Sequence, residues 1–303
     1  MRTRFVIFGF GLALVSFGIL DLLQPVARGQ DEDVRGAFLT TRPRPVEKTG
    51  SMGATTSSKP SRKRPKTSDK KQSGGTPSDS GKKENATTAP KVRAQKIGLG
   101  LTLFERNANG LAVRVDPNRV FRSGDRVRVL LETNVDGYLY IFNTTDGGKP
   151  VMIYPSAELD EGGNYIQSHI PFEIPSSVAD QERLRWLTFD KYSGAERLYF
   201  VFTREPLPAV PTEDDLLNFC REKESNCPIQ PSADMWSKIQ SESSTQLQVA
   251  RSQEYGKAQT SGEVEASTRG LGLSKDDPEP SLVMMTASAN TGILVAVLEL
   301  IHK

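Results

Sequence analysis

The sequence predicts a mainly β fold: an antiparallel β-sandwich-like domain with a helical insertion before its last strand, preceded by a leader and a basic linker. Three observations carry this. From residue 97 onward, short runs of Val, Ile, Phe and Tyr alternate with Gly, Asn, Asp and Pro turn chemistry, the spacing of an antiparallel sheet. A hydroxyl followed by three acids, Thr212, Glu213, Asp214 and Asp215, interrupts that texture with a helix start. Ahead of the body lie an apolar N-terminus and a polar tract that is too poor in apolar residues to bury a core.

Arg2 and Arg4 precede an uncharged stretch from Phe5 to Leu20, which Asp21 and Pro25 end. Ala27, Arg28 and Gly29 then place small residues where a signal peptidase reads them. Residues 1–29 are expected to be a signal peptide, with a retained membrane anchor as the alternative; either places the body outside the cytoplasm. The apolar stretch falls short of the ~20 residues that span a bilayer.

Residues 30–96 carry 16 Lys and Arg against seven Asp and Glu, so nine of their positive charges are unbalanced although the whole chain is only +2. Pro, Ser, Thr, Gly and Lys dominate, and the expectation is a disordered basic linker. Its charge would attract an anionic polymer or a membrane surface. Nucleic acid is not expected, because no aromatic residue interleaves the cluster Lys59, Arg62, Lys63, Arg64 and Lys66 to stack on bases.

In the body, Leu99 to Phe104 and Leu111 to Val115 flank Asn107, Asn109 and Gly110 and read as a hairpin. Arg126 to Leu131 alternates charge with Val127 and Val129, which predicts one solvated face. Tyr138 to Phe142, apolar on both faces, is expected to be a central strand. Asp146, Gly147 and Gly148 turn the chain into Val151 to Tyr154, a strand that Pro155 obliges to stop or to lie at an edge. Strands are also expected near Tyr165, over Leu184 to Phe189, over Leu198 to Phe202 and over Ile293 to Ile301. The insertion, residues 212–280, is read as a helix to about Lys223 with Leu216, Phe219 and Cys220 on one face, a second helix from Ala233 to about Tyr255, and a loop over 256–280.

Several of these residues form a set: Phe121, Gly124 and Asp125; Asp136, Gly137, Tyr138, Leu139 and Tyr140; Tyr154-Pro155; Asn164; Ile174-Pro175; Gly194, Glu196 and Leu198; and Pro206-Leu207. Between Gly98 and Pro208 the chain resembles a bacterial family known as domain of unknown function 4384, found in exported envelope and signalling proteins. The resemblance implies a β-sandwich-like module and supplies no catalytic residues. Read physically, the glycines and prolines of the set start or end strands, and Tyr138, Tyr140 and Tyr154 are either core at strand spacing or the anchors of a ligand surface.

Cys220 and Cys227 are the two cysteines of the chain, and in an oxidising compartment they are expected to form a local disulfide; otherwise Cys220 is a small buried apolar residue near an exposed thiol. With His169 and His302 as the two histidines, the ligand spacing of a zinc site is missing. No G-x-S-x-G elbow, calcium loop, Walker lysine motif or dinucleotide fingerprint occurs, so neither a metal nor a cofactor is expected. The function expected is therefore non-catalytic: an exported interaction module, periplasmic, secreted or held at the cell envelope, that binds a protein or glycan partner there. The alternatives are an envelope hydrolase whose acids the fold brings together, and polyanion or nucleic-acid binding through the linker.

Overall fold

The computed structural model describes residues 28–44, 95–157, 163–208, 210–222 and 227–303. The leader before Arg28 and the linker over 45–94 lie outside the described residues. Two sheets face one another. The first runs in the order β11 (Leu247–Arg251), β12 (Leu282–Thr286), β1 (Gly98–Arg106), β4 (Arg126–Thr133) and β8 (Phe172–Ile174), with β2 (Ala112–Arg114) on β1 and β9 (Leu187–Thr188) on β4. The second runs β3 (Val120–Phe121), β13 (Ile293–His302), β10 (Gly194–Thr203), β5 (Gly137–Thr145) and β6 (Val151–Tyr154), with β7 (Tyr165–Ile166) on β5. All pairings are antiparallel except β3 with β13.

Side chains alternate across each strand, so one set from each sheet meets in the middle. Leu99, Leu101, Leu103, Val129 and Leu131 from the first sheet interleave with Leu139, Ile141, Phe200, Phe202 and Leu298 from the second. Strand β5 is central, as its two apolar faces predict, and β6 is an edge that stops at Pro155. Gly137 is required by the close approach of β10, because a Cβ there would stand 2.4 Å from the Thr203 carbonyl.

Both sheets are covered on their outer faces as well. Helices α2 (Glu213–Glu222) and α3 (Ala233–Ser243) cover the second with Leu216, Ile239 and Trp236, which pack on Phe142, Tyr199 and Val295. Helix α1 (Arg28–Leu39) covers the first, where Val34 and Phe38 pack on Ala250, Val283 and Met285. Phe38 fits a slot left by two glycines: a Cβ on Gly98 would meet its ring at 2.7 Å, and one on Gly100 at 3.1 Å.

Several expectations are corrected. The linker does not begin at residue 30, because Val34 and Phe38 lie one helical turn apart and bury against β11 and β12. Strand β4 has no solvated face: Arg128, Leu130 and Glu132 are buried under neighbouring segments. The helix expected over 233–255 is two elements, because α3 ends at Ser243 and Leu247 to Arg251 pairs with β12 instead. Residues 256–280 contain helix α4 (Ser261–Arg269), started by a reciprocal Thr260/Glu263 cap and ended by Gly270 at φ 67°. The run Leu184 to Phe189 is a short 3-10 turn, Glu182–Arg185, followed by the two residues of β9. Among the described residues the insertion thus holds three helices and strand β11, and β12 follows it in the first sheet while β13 closes the second.

Candidate functional site

The three tyrosines considered for a ligand surface are buried. Tyr154 lies between the sheets, stacked on Phe172 at 5.8 Å. Tyr138 packs edge-on to Tyr165, and Tyr140 is wholly enclosed with its hydroxyl oxygen accepting from the Leu207 amide at 2.9 Å. Burial raises the Tyr140 hydroxyl above the ordinary tyrosine range, against the opposing effect of its hydrogen bonds. Strand alternation on a sheet covered on both sides leaves such rings no open face, so the site has to be sought elsewhere. The Cys220 and Cys227 sulfurs lie 2.08 Å apart, in bonding position, and tie the last turn of α2 to the segment ahead of α3.

One polar cluster sits where the end of α1 meets β4. Arg42 grips Glu132 with two hydrogen bonds, Nε to Oε1 at 2.8 Å and Nη2 to Oε2 at 2.6 Å. It also donates to the carbonyls of Ser274, Asp277 and Pro278. His169, at φ 56°, places Nδ1 2.7 Å from Glu132 Oε1 and Nε2 2.8 Å from Thr41 Oγ1. Burial alone would push Glu132 up, but the hydrogen bonds from His169 and Arg42 outweigh it and hold the carboxyl below its usual range.

This hydroxyl, imidazole and carboxylate sequence has the order of an acyl-transfer triad. Its surroundings argue for a clasp instead. The Thr41 hydroxyl donates to the Phe38 carbonyl of its own helix end at 2.5 Å, and the adjoining cavity of about 10 Å³ holds about one water. Glu132 lies 37 residues from His169 in the chain, and the fold joins them where the His169 amide donates to the Thr133 carbonyl at the end of β4.

The larger opening is a cleft of about 160 Å³ at one end of the sandwich, where the two sheets part. Its floor is apolar: Val127, Leu187, Leu198 and Leu300. Thr188, Asp190 and Glu196 are its more exposed lining residues, and the buried Phe189 and His302 complete the lining. Glu196 is held in place, because its carboxylate accepts from Asn143 Nδ2 at 2.8 Å and from the Thr145 hydroxyl at 2.9 Å. Asp190 Oδ1 accepts from the Tyr192 amide at 2.8 Å. The His302 ring, 3% exposed, lies 5.0 Å from the Phe189 ring, with Nε2 3.9 Å from Glu196 Oε1.

The wall of this cleft explains part of the residue set read from sequence. Gly124, at φ 88°, receives its place from a 2.9 Å bond to the Phe189 carbonyl, and the Phe189 amide returns a 3.0 Å bond to Asp125. Asp125 is fixed in turn by Arg119, which bridges it to Glu105. Sequence reasoning placed Glu196 in the set but missed His302 as a site residue. A signal existed: Glu196 continues the inward face of Leu198 and Phe200, and His302 that of Leu298 and Leu300, so each puts a polar group on an otherwise apolar row. Among the described residues, no group of three His, Cys, Asp or Glu converges as a metal site would require.

Residues 120–206 match the family model described as "Domain of unknown function (DUF4384)". The matched segment runs from β3 through β10 and holds the cleft lining except Leu300 and His302. Neither a curated protein nor a solved structure matches the chain.

Proposed function

We propose that this chain is an exported, non-catalytic interaction module that takes part of a partner at the cell envelope into the cleft between its two sheets. The observation that carries the reading is the cleft itself: a concave apolar floor with a few oriented polar groups at its rim, the general form of a ligand seat. Its wall is also the segment that resembles the family, whereas helices α1 and α4 lie outside the matched residues. An apolar leader ahead of the body and a cysteine pair in bonding position support an address outside the cytoplasm.

The cavity is smaller than the ~300 Å³ at which pockets for whole small molecules begin, so it suits one side chain or one sugar ring of a larger partner. The test is site-specific photo-crosslinking of the full chain in intact cells. A photoreactive residue at Thr188, on the rim, should capture a discrete envelope species that the same group at Leu271, exposed elsewhere, does not. Equal capture from both positions, or a mature chain found in the cytosol with residue 1 intact, would overturn the proposal. Turnover of an envelope glycan lost in Glu196→Gln would replace it with the hydrolase.

A further inference from the structure

We infer that the outer side of the first sheet, at its β9 end, is a second seat, independent of the cleft, for an extended acidic segment of a protein partner that adds to β9 as a further strand. The register that pairs Glu105 with Val127 sets Arg106 opposite Arg126, and because Val127 faces the core, Arg126 stands on the outer face. Arg183 joins them, next in the chain to Glu182, which pairs with Arg106 at 3.3 Å. Three guanidiniums thus face one carboxylate, and Arg126, exposed, has no ion pair among the described residues. Like charges directly opposite one another on a sheet repel, so the row is satisfied only when an anion joins it.

The edge beside this row is open. Trp186 is extended, at φ −144° and ψ 141°, and runs into the two residues of β9. Leu187 pairs with Val127, and Phe189 bonds through its backbone to Gly124 and Asp125, so the backbone groups of Trp186 and Thr188 point away from β4. Among the described residues β9 pairs with β4 alone, and Thr188 is exposed.

Charge and edge together select the occupant. A polysaccharide or a lipid headgroup answers the guanidiniums but not a row of N–H and C=O groups, whereas a peptide strand answers both. In an antiparallel strand, the more stable pairing, the side chain across from Thr188 is an acid that reaches over the short threonine to Arg126 and Arg183, whose planar forks suit a carboxylate. Two residues along, the next side chain on that face lies beside Trp186, half-buried with Arg128 over its ring at 4.3 Å, and is apolar. In the other direction Asp190, two residues beyond Thr188, disfavours a second acid, which fixes the register.

The two tryptophans make the experiment direct. The indole signal of Trp186 reports on the edge, and that of Trp236, packed on Tyr199 and Phe142, is the internal reference. The full chain is titrated with the capped peptide Thr-Thr-Leu-Thr-Glu-Thr-Thr, its glutamine counterpart, the first peptide N-methylated on its Leu and Glu nitrogens, and a galacturonate oligomer. Expected is a saturable shift at Trp186 but not at Trp236 with the first peptide. Binding should be about tenfold weaker for the glutamine peptide, and about tenfold weaker for the first peptide on Arg126→Gln. N-methylation should abolish it. Arg126 is exposed, and an unmoved Trp236 signal certifies the fold of the variant.

Equal binding of the glutamine peptide, or no loss in Arg126→Gln, would overturn the acidic partner. Equal binding of the N-methylated peptide would overturn the added strand. A galacturonate oligomer that binds more tightly than the first peptide would replace the protein with an anionic glycan. If none of the four moves Trp186, the inference fails, while the reading of the cleft, which rests on its apolar floor, is untouched.

Discussion

The two sheets are both covered on their outer faces, but by opposite chemistry. Over the second sheet the cover is aromatic and aliphatic: Trp236 stands edge-on to Tyr199 at 4.7 Å and tilted to Phe142 at 6.1 Å, above Val201 and Val295. Over the first it is laced with charge. Arg42 meets Glu132, Arg114 meets Glu263, and Arg128 lies 3.6 Å from Glu173 and over the Trp186 ring. Burial lowers the Arg128 pKa from its ordinary value, with the Glu173 charge opposing that. An apolar cover tolerates imperfect fit because its attraction has no direction, whereas buried ions hold only when each partner is in place. The first sheet's cover should therefore be the more exacting and the more easily broken.

The sharpest way to break the comparison is Arg42→Ala. It leaves Glu132 buried beside His169 without its arginine, a change of about 3–5 kcal/mol for a buried pair broken on one side. If the helix leaves while the sheets stay folded, the loss is capped by the docking energy of α1. Amide exchange over residues 31–42 should rise to that of an unprotected helix, with the β5 and β10 amides slow. Pairing Arg42→Met with Glu132→Leu should restore much of the protection; failure to do so would mean the clasp is held by the carbonyl contacts rather than by charge.

The matching change on the other sheet is Trp236→Ala. The ring is half-buried, so the loss should be about 2 kcal/mol, seen as a lower midpoint in urea with an unchanged slope. Exchange at α3 should rise only modestly, since Ile239 and Leu216 keep their contacts. A loss larger than that of Arg42→Ala would reverse the ranking of the two covers.

Acid separates them without mutation. The Glu132 carboxyl is held below its unfolded value, so its contribution is present above the ordinary carboxylate range and is lost as pH falls from about 4 toward its folded value. Protection over residues 31–42 should decay in that window while α3 stays protected. Equal decay of both would show that acid acts on the whole fold through other carboxylates.

How much of this was legible follows from the same contrast. The strands could be read because Val, Ile and Phe recur every second residue between Gly, Asn and Pro turns, and the second sheet's cover could be read in part because Leu216 and Cys220 repeat at helical spacing. The first sheet's cover could not. Val34 and Phe38 are two apolar residues at the head of a tract whose composition speaks for a linker, and the slot that takes Phe38 beside Val283 and Met285 is made by a pair of glycines in a strand, which carry no hydrophobic signal. Arg128 on β4 reads as part of a wet face because in sequence it looks the same whether water or a partner from a distant segment meets it. The cleft was half legible: Glu196 stood within the family-like set, but His302 gains its neighbours only when β13 pairs with β10.

Helix α4 shows that a signal can be present and still outweighed. Thr260 and Glu263 form a reciprocal cap, in which the Thr260 hydroxyl accepts from the Glu263 amide at 3.2 Å and Glu263 Oε2 accepts from the Thr260 amide at 2.9 Å. Apolar residues in the segment are few, so the composition read as loop; the helix persists because Glu263 is also the buried partner of Arg114. The two roles differ in size. Thr260→Ala removes the hydroxyl half of the cap and should cost about 1 kcal/mol, the smallest effect among these changes, with the Arg114 pair intact. Glu263→Gln keeps the shape but removes the charge that Arg114 faces, and should cost more. Equal losses in thermal midpoint would mean that the cap, and not the ion pair, holds α4 on the sheet.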